Sequence, residues 1–177
     1  FLFFFNYALA DNEFVFESST IEYKDDENLI IASGNVKVTS SDGIDIFANE
    51  SKYFKLQNKL LLTGDVKVVD KNKDIVILSN LIQYDRNINL IESKNKTLVE
   101  INNYSITTSN LKYFRSKEIL KSNNITTLTD KFQNKVVADN FTYSIDKKKF
   151  KSNKIKIIDK ELNEYTTGES MIDLNNN

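Results

Sequence analysis

A unit of about 30 residues recurs five times along the chain, and any fold assigned to it must be one that a repeat can build. The units cover residues 19–49, 50–80, 81–110, 111–140 and 141–170. A tyrosine stands near the start of each: Tyr23, Tyr53, Tyr84, Tyr113 and Tyr143. Asparagine closes the first four, at Asn49, Asn80, Asn110 and Asn140. Ten or eleven residues after each tyrosine comes Gly34, Gly64, Asn95, Asn124 or Asn153. The strongest internal match sets Ser33-Gly34-Asn35-Val36-Lys37-Val38 against Thr63-Gly64-Asp65-Val66-Lys67-Val68.

Inside each unit the apolar residues alternate with period two. Ile30, Ala32, Val36 and Val38 share one parity across Gly34, and Leu60, Leu62, Val66 and Val68 do the same across Gly64. Such alternation marks a strand with one buried face. A glycine or asparagine in the middle suits a bulge or bend. Second strands fall at 43–53, 74–84, 104–113 and 136–143, rich in Ile, Val, Phe and Tyr. Polar turns fall at 24–28, 40–43, 56–58, 70–74, 86–89, 101–103, 116–118, 132–134, 146–148 and 160–163. The pattern predicts an all-β chain, an antiparallel meander of about 10–11 long strands. Ten residues of strand span about 33 Å, and an open sheet of so many strands curls or splits into two layers. Mid-strand bends would let each strand serve both, giving a folded-over sheet with an apolar interior.

Composition narrows the chemistry. The 177 residues make one domain or one elongated array. There is no His and no Cys, so the usual neutral-pH base, the commonest metal ligand and the thiolate nucleophile are all missing. There is no Pro, where average usage of about 5% would place roughly nine. Four Gly cannot build a glycine-rich phosphate loop. An enzyme is not expected, nor any cofactor or metal. Basic and acidic residues nearly balance, 24 against 25, which gives no electrostatic argument for nucleic acid. Arg occurs only twice, at Arg86 and Arg115.

The chain opens on an apolar run ending in Ala8-Leu9-Ala10, a small-x-small pattern that fits a signal-peptide remnant over residues 1–10, with Asp11 as the first mature residue. A buried first strand is the competing reading; a membrane helix would need about 20 apolar residues. Residues 11–174 then form the repeat domain, and 175–177 a loop or truncation point. Several local features have bland readings. Asp70-Lys71-Asn72-Lys73-Asp74 resembles the opening of a calcium loop but has Ile75 where Gly is needed and Leu81 where the closing Glu belongs, so it reads as a solvated turn. Asp25-Asp26-Glu27 reads likewise. Lys147, Lys148, Lys149, Lys151, Lys154 and Lys156 concentrate positive charge, which suits a solvated hairpin and strand face. The five repeat tyrosines read as packing residues.

Ala32-Ser33-Gly34-Asn35-Val36-Lys37-Val38 and Leu62-Thr63-Gly64-Asp65-Val66-Lys67-Val68, followed by Phe47-Ala48-Asn49 through Tyr53, resemble the OstA family of lipopolysaccharide-transport proteins. The likeness covers about residues 19–170 and is clearest in the first two units; afterwards Gly gives way to Asn. It implies an open, V-shaped, two-layer β-jellyroll that carries the acyl chains of lipopolysaccharide in an apolar trough, without chemistry. It also implies a periplasmic, outer-membrane-associated location in a Gram-negative bacterium, and edge-strand pairing with other OstA-type bridge proteins. Within the family the chain is most similar to the periplasmic N-terminal domain of LptD-type proteins, because 164–174 opens a further unit; an outer-membrane barrel would then be a partner. The free-standing LptA type is second.

By parity, the trough-lining candidates are Ile30, Ala32, Val36, Val38, Ile44, Ile46, Leu60, Leu62, Val66, Val68, Ile75 and Ile77. A slip of one residue would invert the set. The expected docking edge is the N-terminal strand at 13–23, with Phe14, Phe16, Ile21 and Tyr23. Two other classes remain open. An exported structural β-repeat, adhesin-like or fibre-like, would have no lipid ligand. A transmembrane barrel would face its apolar residues outward, which turns this charged fit poorly.

Overall fold

The computed structural model of the chain describes residues 6–10 and 14–174, with side chains from residue 14 onward. The strands, in chain order, are β1 (Asn6–Ala10), β2 (Phe14–Ser18), β3 (Thr20–Lys24), β4 (Leu29–Ser40), β5 (Ile44–Phe54) and β6 (Lys59–Asp70). Next come β7 (Ile75–Asp85), β8 (Leu90–Ile101), β9 (Tyr104–Ser109), β10 (Lys112–Phe114), β11 (Ile119–Ser122) and β12 (Thr126–Asp130). The last are β13 (Lys135–Ala138), β14 (Phe141–Ser144), β15 (Lys149–Ser152), β16 (Ile155–Ile158), β17 (Glu164–Thr167) and β18 (Ser170–Asp173). All belong to one sheet, and every pairing is antiparallel. Among the described residues no helix is long and apolar enough to cross a membrane.

The sheet folds over along a line at mid-strand. Gly34 and Asn35 have φ of 78° and 50°, and Gly64 and Asp65 have 76° and 46°. Two successive left-handed residues put extra chain into one strand of the pair, so the register shifts between Ser33 and Val36 and again between Thr63 and Val66. One layer holds β1, β2, the C-terminal halves of β4, β6 and β8 with the N-terminal halves of β5 and β7, then β9, β12, β13, β16 and β17. The other holds β3, the complementary halves of β4 to β8, then β10, β11, β14, β15 and β18.

The expectation of long bent strands holds from β4 to β8, whose lengths are 11 or 12 residues. Elsewhere the structure differs: the strand breaks at the bend, so β2 and β3, β9 and β10, and each later pair are halves of one strand. At the repeat position of the bend, Gly34, Gly64 and Asn95 all adopt positive φ and their strands run on, whereas Asn124 and Asn153 do not, and there the strand breaks.

The turns of the second layer are tied rung to rung. Asn28, Asn58, Asn89, Glu118 and Lys148 all adopt positive φ between 49° and 54°. Each offers its carbonyl to the next turn: Lys55 N–H donates to Asn28 at 2.9 Å, Arg86 to Asn58 at 3.1 Å, Arg115 to Asn89 at 3.0 Å, Ile145 to Glu118 and Leu174 to Lys148 both at 2.9 Å. Asparagine tolerates the left-handed region best among residues with a side chain, which explains the first three. These residues are the second halves of the tyrosine repeat, five positions further on.

Candidate functional site

The interior between the layers is a continuous apolar feature that the repeat builds. In the second layer one register row crosses the sheet as Tyr23, Ile30, Tyr53, Leu60, Tyr84, Ile91, Tyr113, Leu120, Tyr143 and Phe150. The five repeat tyrosines therefore share one line, each two strands from the next. Opposite them in the first layer run Phe16, Val38, Ile46, Val68, Ile77, Val99, Ile106, Leu128, Val136 and Ile157. All twelve trough candidates, from Ile30 to Ile77, point into this interior and are buried.

They are buried against one another, so over β4 to β8 the two layers meet directly as a packed core. From β7 onward the interior residues beside the fold line include the hydroxyls of Ser79, Ser93, Thr97, Thr108, Ser122 and Thr126. Ser93 and Thr97 share a hydrogen bond of 2.5 Å, Leu111 N–H donates to Ser93 at 3.1 Å, and Thr108 pairs with Thr126 at 2.8 Å. These hydroxyls serve polar groups where the bend interrupts the ladder. Sequence parity passed over them because they interrupt an otherwise apolar face.

The docking-edge candidates divide. Phe14 and Phe16 face the interior, where Phe14 packs edge-on to Tyr53 at 5.3 Å between ring centres. Their strand, β2, is already paired on its outer side by β1. Ile21 is half-buried against the core, and Tyr23 is 50% exposed at the end of the tyrosine row. Strand β3 pairs with β4 alone among the described residues. Among the described residues, the outermost strands at this end are thus β1 in one layer and β3 in the other. Of the expected leader segment, residues 1–5 lie outside the described residues, as do 175–177; residues 6–10 form β1.

At the other end the layers stop short of sealing. A cavity of about 300 Å³ lies between them, lined by Tyr104, Leu128, Val136, Ile157, Ile172 and Leu174 with their neighbours. Tyr165, which continues the first-layer row beyond Ile157, is 58% exposed. The outer edges of β17 and β18 are unpaired among the described residues.

Opposite the fold line, the turns of the two layers meet along a rim, and here sequence reasoning missed the most. Arg115 donates from Nε to Asp70 Oδ2 at 3.1 Å, and from Nη1 to Asp42 Oδ2 at 2.5 Å and to the Tyr84 hydroxyl at 2.9 Å. Tyr113 donates to Asp70 at 2.9 Å, and Tyr84 to Asp42 at 3.3 Å. Arg86 donates to Ser40 at 2.9 Å and lies over the Phe14 ring at 5.1 Å. Lys73 pairs with Glu118 at the outer margin. Asp42, Asp70 and Lys73 come from first-layer turns; Tyr84, Arg86, Tyr113, Arg115 and Glu118 come from the second layer. Burial would raise the Asp42 carboxyl, but the Ser40 hydrogen bond and the Arg115 guanidinium hold it below its ordinary value. Burial pushes the Tyr84 hydroxyl up to about 12 and, helped by the Asp70 charge, raises Tyr113 as well. Burial works against the Arg115 charge, yet Asp42, Tyr84 and Asp70 more than restore it.

The reading of Asp70 as part of a solvated turn is therefore corrected: its side chain is 2% exposed. The cause was visible in the parity, since Asp70 follows Leu62, Val66 and Val68 on the inward face. Its Oδ1 accepts from Asn72 N–H at 3.1 Å, so both oxygens are spoken for by the protein. The other available signal was that both arginines of the chain sit on this rim. The lysine concentration lies outside: Lys156 pairs with Glu164 at 2.6 Å.

No family profile matches the chain, and none of the curated proteins matches its sequence. Among solved structures it is similar to LptH from Pseudomonas aeruginosa, described as the LptA-homologous periplasmic component of a lipopolysaccharide transport device. The identity is 9%, the match covers 89% of this chain and 95% of that one, and the TM-score is 0.34.

Proposed function

We propose that the chain is a periplasmic carrier that holds the acyl chains of lipopolysaccharide between its two layers and passes them along a chain of like domains towards the outer membrane. The observation that carries this is the interior itself. Two facing rows of apolar and aromatic residues run along the sheet to an apolar mouth at β16 to β18, whose edges are unpaired among the described residues. Burying methylenes there is favourable by about 0.8 kcal/mol each, and no reacting group is required. The OstA-like Gly-Asn/Asp-Val-x-Val strands supply the lipid class. The edges left unpaired among the described residues, at β3 and at β17 and β18, suit strand addition by like domains. The LptD-type assignment, with a barrel following, belongs to the same reading, the LptA type being its alternative.

Site-specific photocrosslinking in cells tests it. With the probe at Leu62, which faces inward, lipopolysaccharide is captured; at Lys67, which faces outward, it is not. Capture at neither position by a folded, exported protein would refute the carrier. One observation favours a second reading: from β4 to β8 the interior is filled by its own side chains, as in a purely structural exported β-repeat, for which neither probe captures lipid.

A further inference from the structure

Leu62 is buried where the two layers meet as a packed core, so lipid reaches it only if the layers part. We propose that the cluster of Arg115 with Asp42, Asp70, Tyr84 and Tyr113 is a lock that holds the two layers shut over the middle of the interior, and that its release admits an acyl chain there. This rests on the carrier function above.

Three observations converge. First, the ion pairs of the cluster join the layers: each runs from a first-layer turn to a second-layer side chain, across sequence separations of 45 for Asp70–Arg115 and 73 for Asp42–Arg115. Second, its chemistry is costly for mere packing. A buried ion pair gains little over an apolar contact of the same shape, because both charges lose their water. Facing Leu and Phe residues would hold the rim closed more simply, as Phe14 and Tyr53 do one unit earlier. A polar contact differs in being separable, since water can replace each hydrogen bond when the layers part.

Third, the lock is local. One unit further on, the Tyr143 hydroxyl occupies the equivalent place in the row, but it meets Asn102 and Tyr104 rather than a carboxylate and is buried without a well-formed hydrogen bond. Just beyond, the 300 Å³ cavity begins. The interior thus has a latched middle and an unlatched end, and a chain seated at the mouth advances only past Arg115.

The test uses the whole chain, which has no native cysteine. Lys73→Cys and Glu118→Cys place two thiols across the rim, to be joined by a short bis-thiosulfonate and freed by reductant. Photoreactive probes are placed at Leu62 in the middle and, separately, at Ile172 at the mouth, and purified lipopolysaccharide is offered. Capture at Leu62 is lost in the joined protein and returns on reduction, while capture at Ile172 persists throughout. Equal capture at Leu62 in both states overturns the lock. Capture at neither position in either state overturns the carrier function instead. A readout free of lipid separates the two further: spin labels on the same two cysteines report the rim distance. Arg115→Gln and, as a milder variant, Asp42→Asn shift it to longer values with strand content unchanged by circular dichroism. An unchanged distance in both variants overturns the lock whatever the lipid does.

Discussion

The stretch from β4 to β8 and the stretch from β9 to β18 are built from the same repeat, yet they differ at both of their long margins. In the first, strands run unbroken through the fold line, β4 and β6 on left-handed Gly-Asn and Gly-Asp pairs, and the rim turns that carry Asp42 and Asp70 are pinned by Arg115 from the turn after β10. In the second, strands stop at the fold line, the rim tyrosine Tyr143 has no acid to meet, and the layers end around a cavity. The bend and the rim thus distinguish the two stretches, although residues such as Phe141, Tyr143 and Phe150 are buried in the second as well. The apolar face is common to both and decides neither.

The largest effect should come from the rim of the sealed half. Asp70→Ala leaves Arg115 and Tyr113 facing an empty place in a buried setting, and should cost about 3–5 kcal/mol in urea unfolding. A loss under about 1 kcal/mol would mean that the rim is wetter than its geometry indicates. Next, Leu62→Ala should cost about 2–5 kcal/mol, whereas Ile157→Ala, only half-buried at the mouth, should cost clearly less. Equal losses would break the distinction between core and mouth.

The bend comes third. A Cβ on Gly64 would lie 2.6 Å from Asn49 Nδ2 and 2.9 Å from Asn49 Cβ, at a φ of 76°. Gly64→Ala should therefore cost about 1–3 kcal/mol, while Asn153→Ala at the later bend should stay within about 0.5 kcal/mol. The rim also titrates. Asp42 is held below its ordinary 3.8, so its contribution is full above that value and fades as pH falls through the lower folded value. Tyr84 is raised to about 12, so its contribution is full below 10 and is lost as pH climbs from 10 towards 12. Stability measured across pH should fall at both ends, and Arg115→Gln should flatten the acid limb. The smallest effect is expected at Tyr143→Phe, neutral or slightly stabilising because its hydroxyl is unpaired. Tyr113→Phe, by contrast, should cost about 1–3 kcal/mol by removing one of the two donors to the buried Asp70 Oδ2.

Much of this was legible in the residues. The repeat spacing, the period of two and the polar turns define an antiparallel meander, and Gly34 and Gly64 mark where it bends. Parity assigned Ile30 to Ile77 to one face because a strand's two faces are a local property, fixed wherever a one-residue slip would expose the whole set. The same parity carried through to Asp70, though its polar neighbours Lys71, Asn72, Lys73 and Asp74 made a solvated turn the easier reading. What no local rule could supply was the rim. Asp42 and Arg115 lie 73 residues apart and belong to turns of different layers. They meet only because the fold angle, the twist and the register of every intervening strand add up to bring one turn against the other. Whether the layers close over the interior or leave it open is therefore a property of the assembled sheet, set by side chains that alternation leaves unspecified.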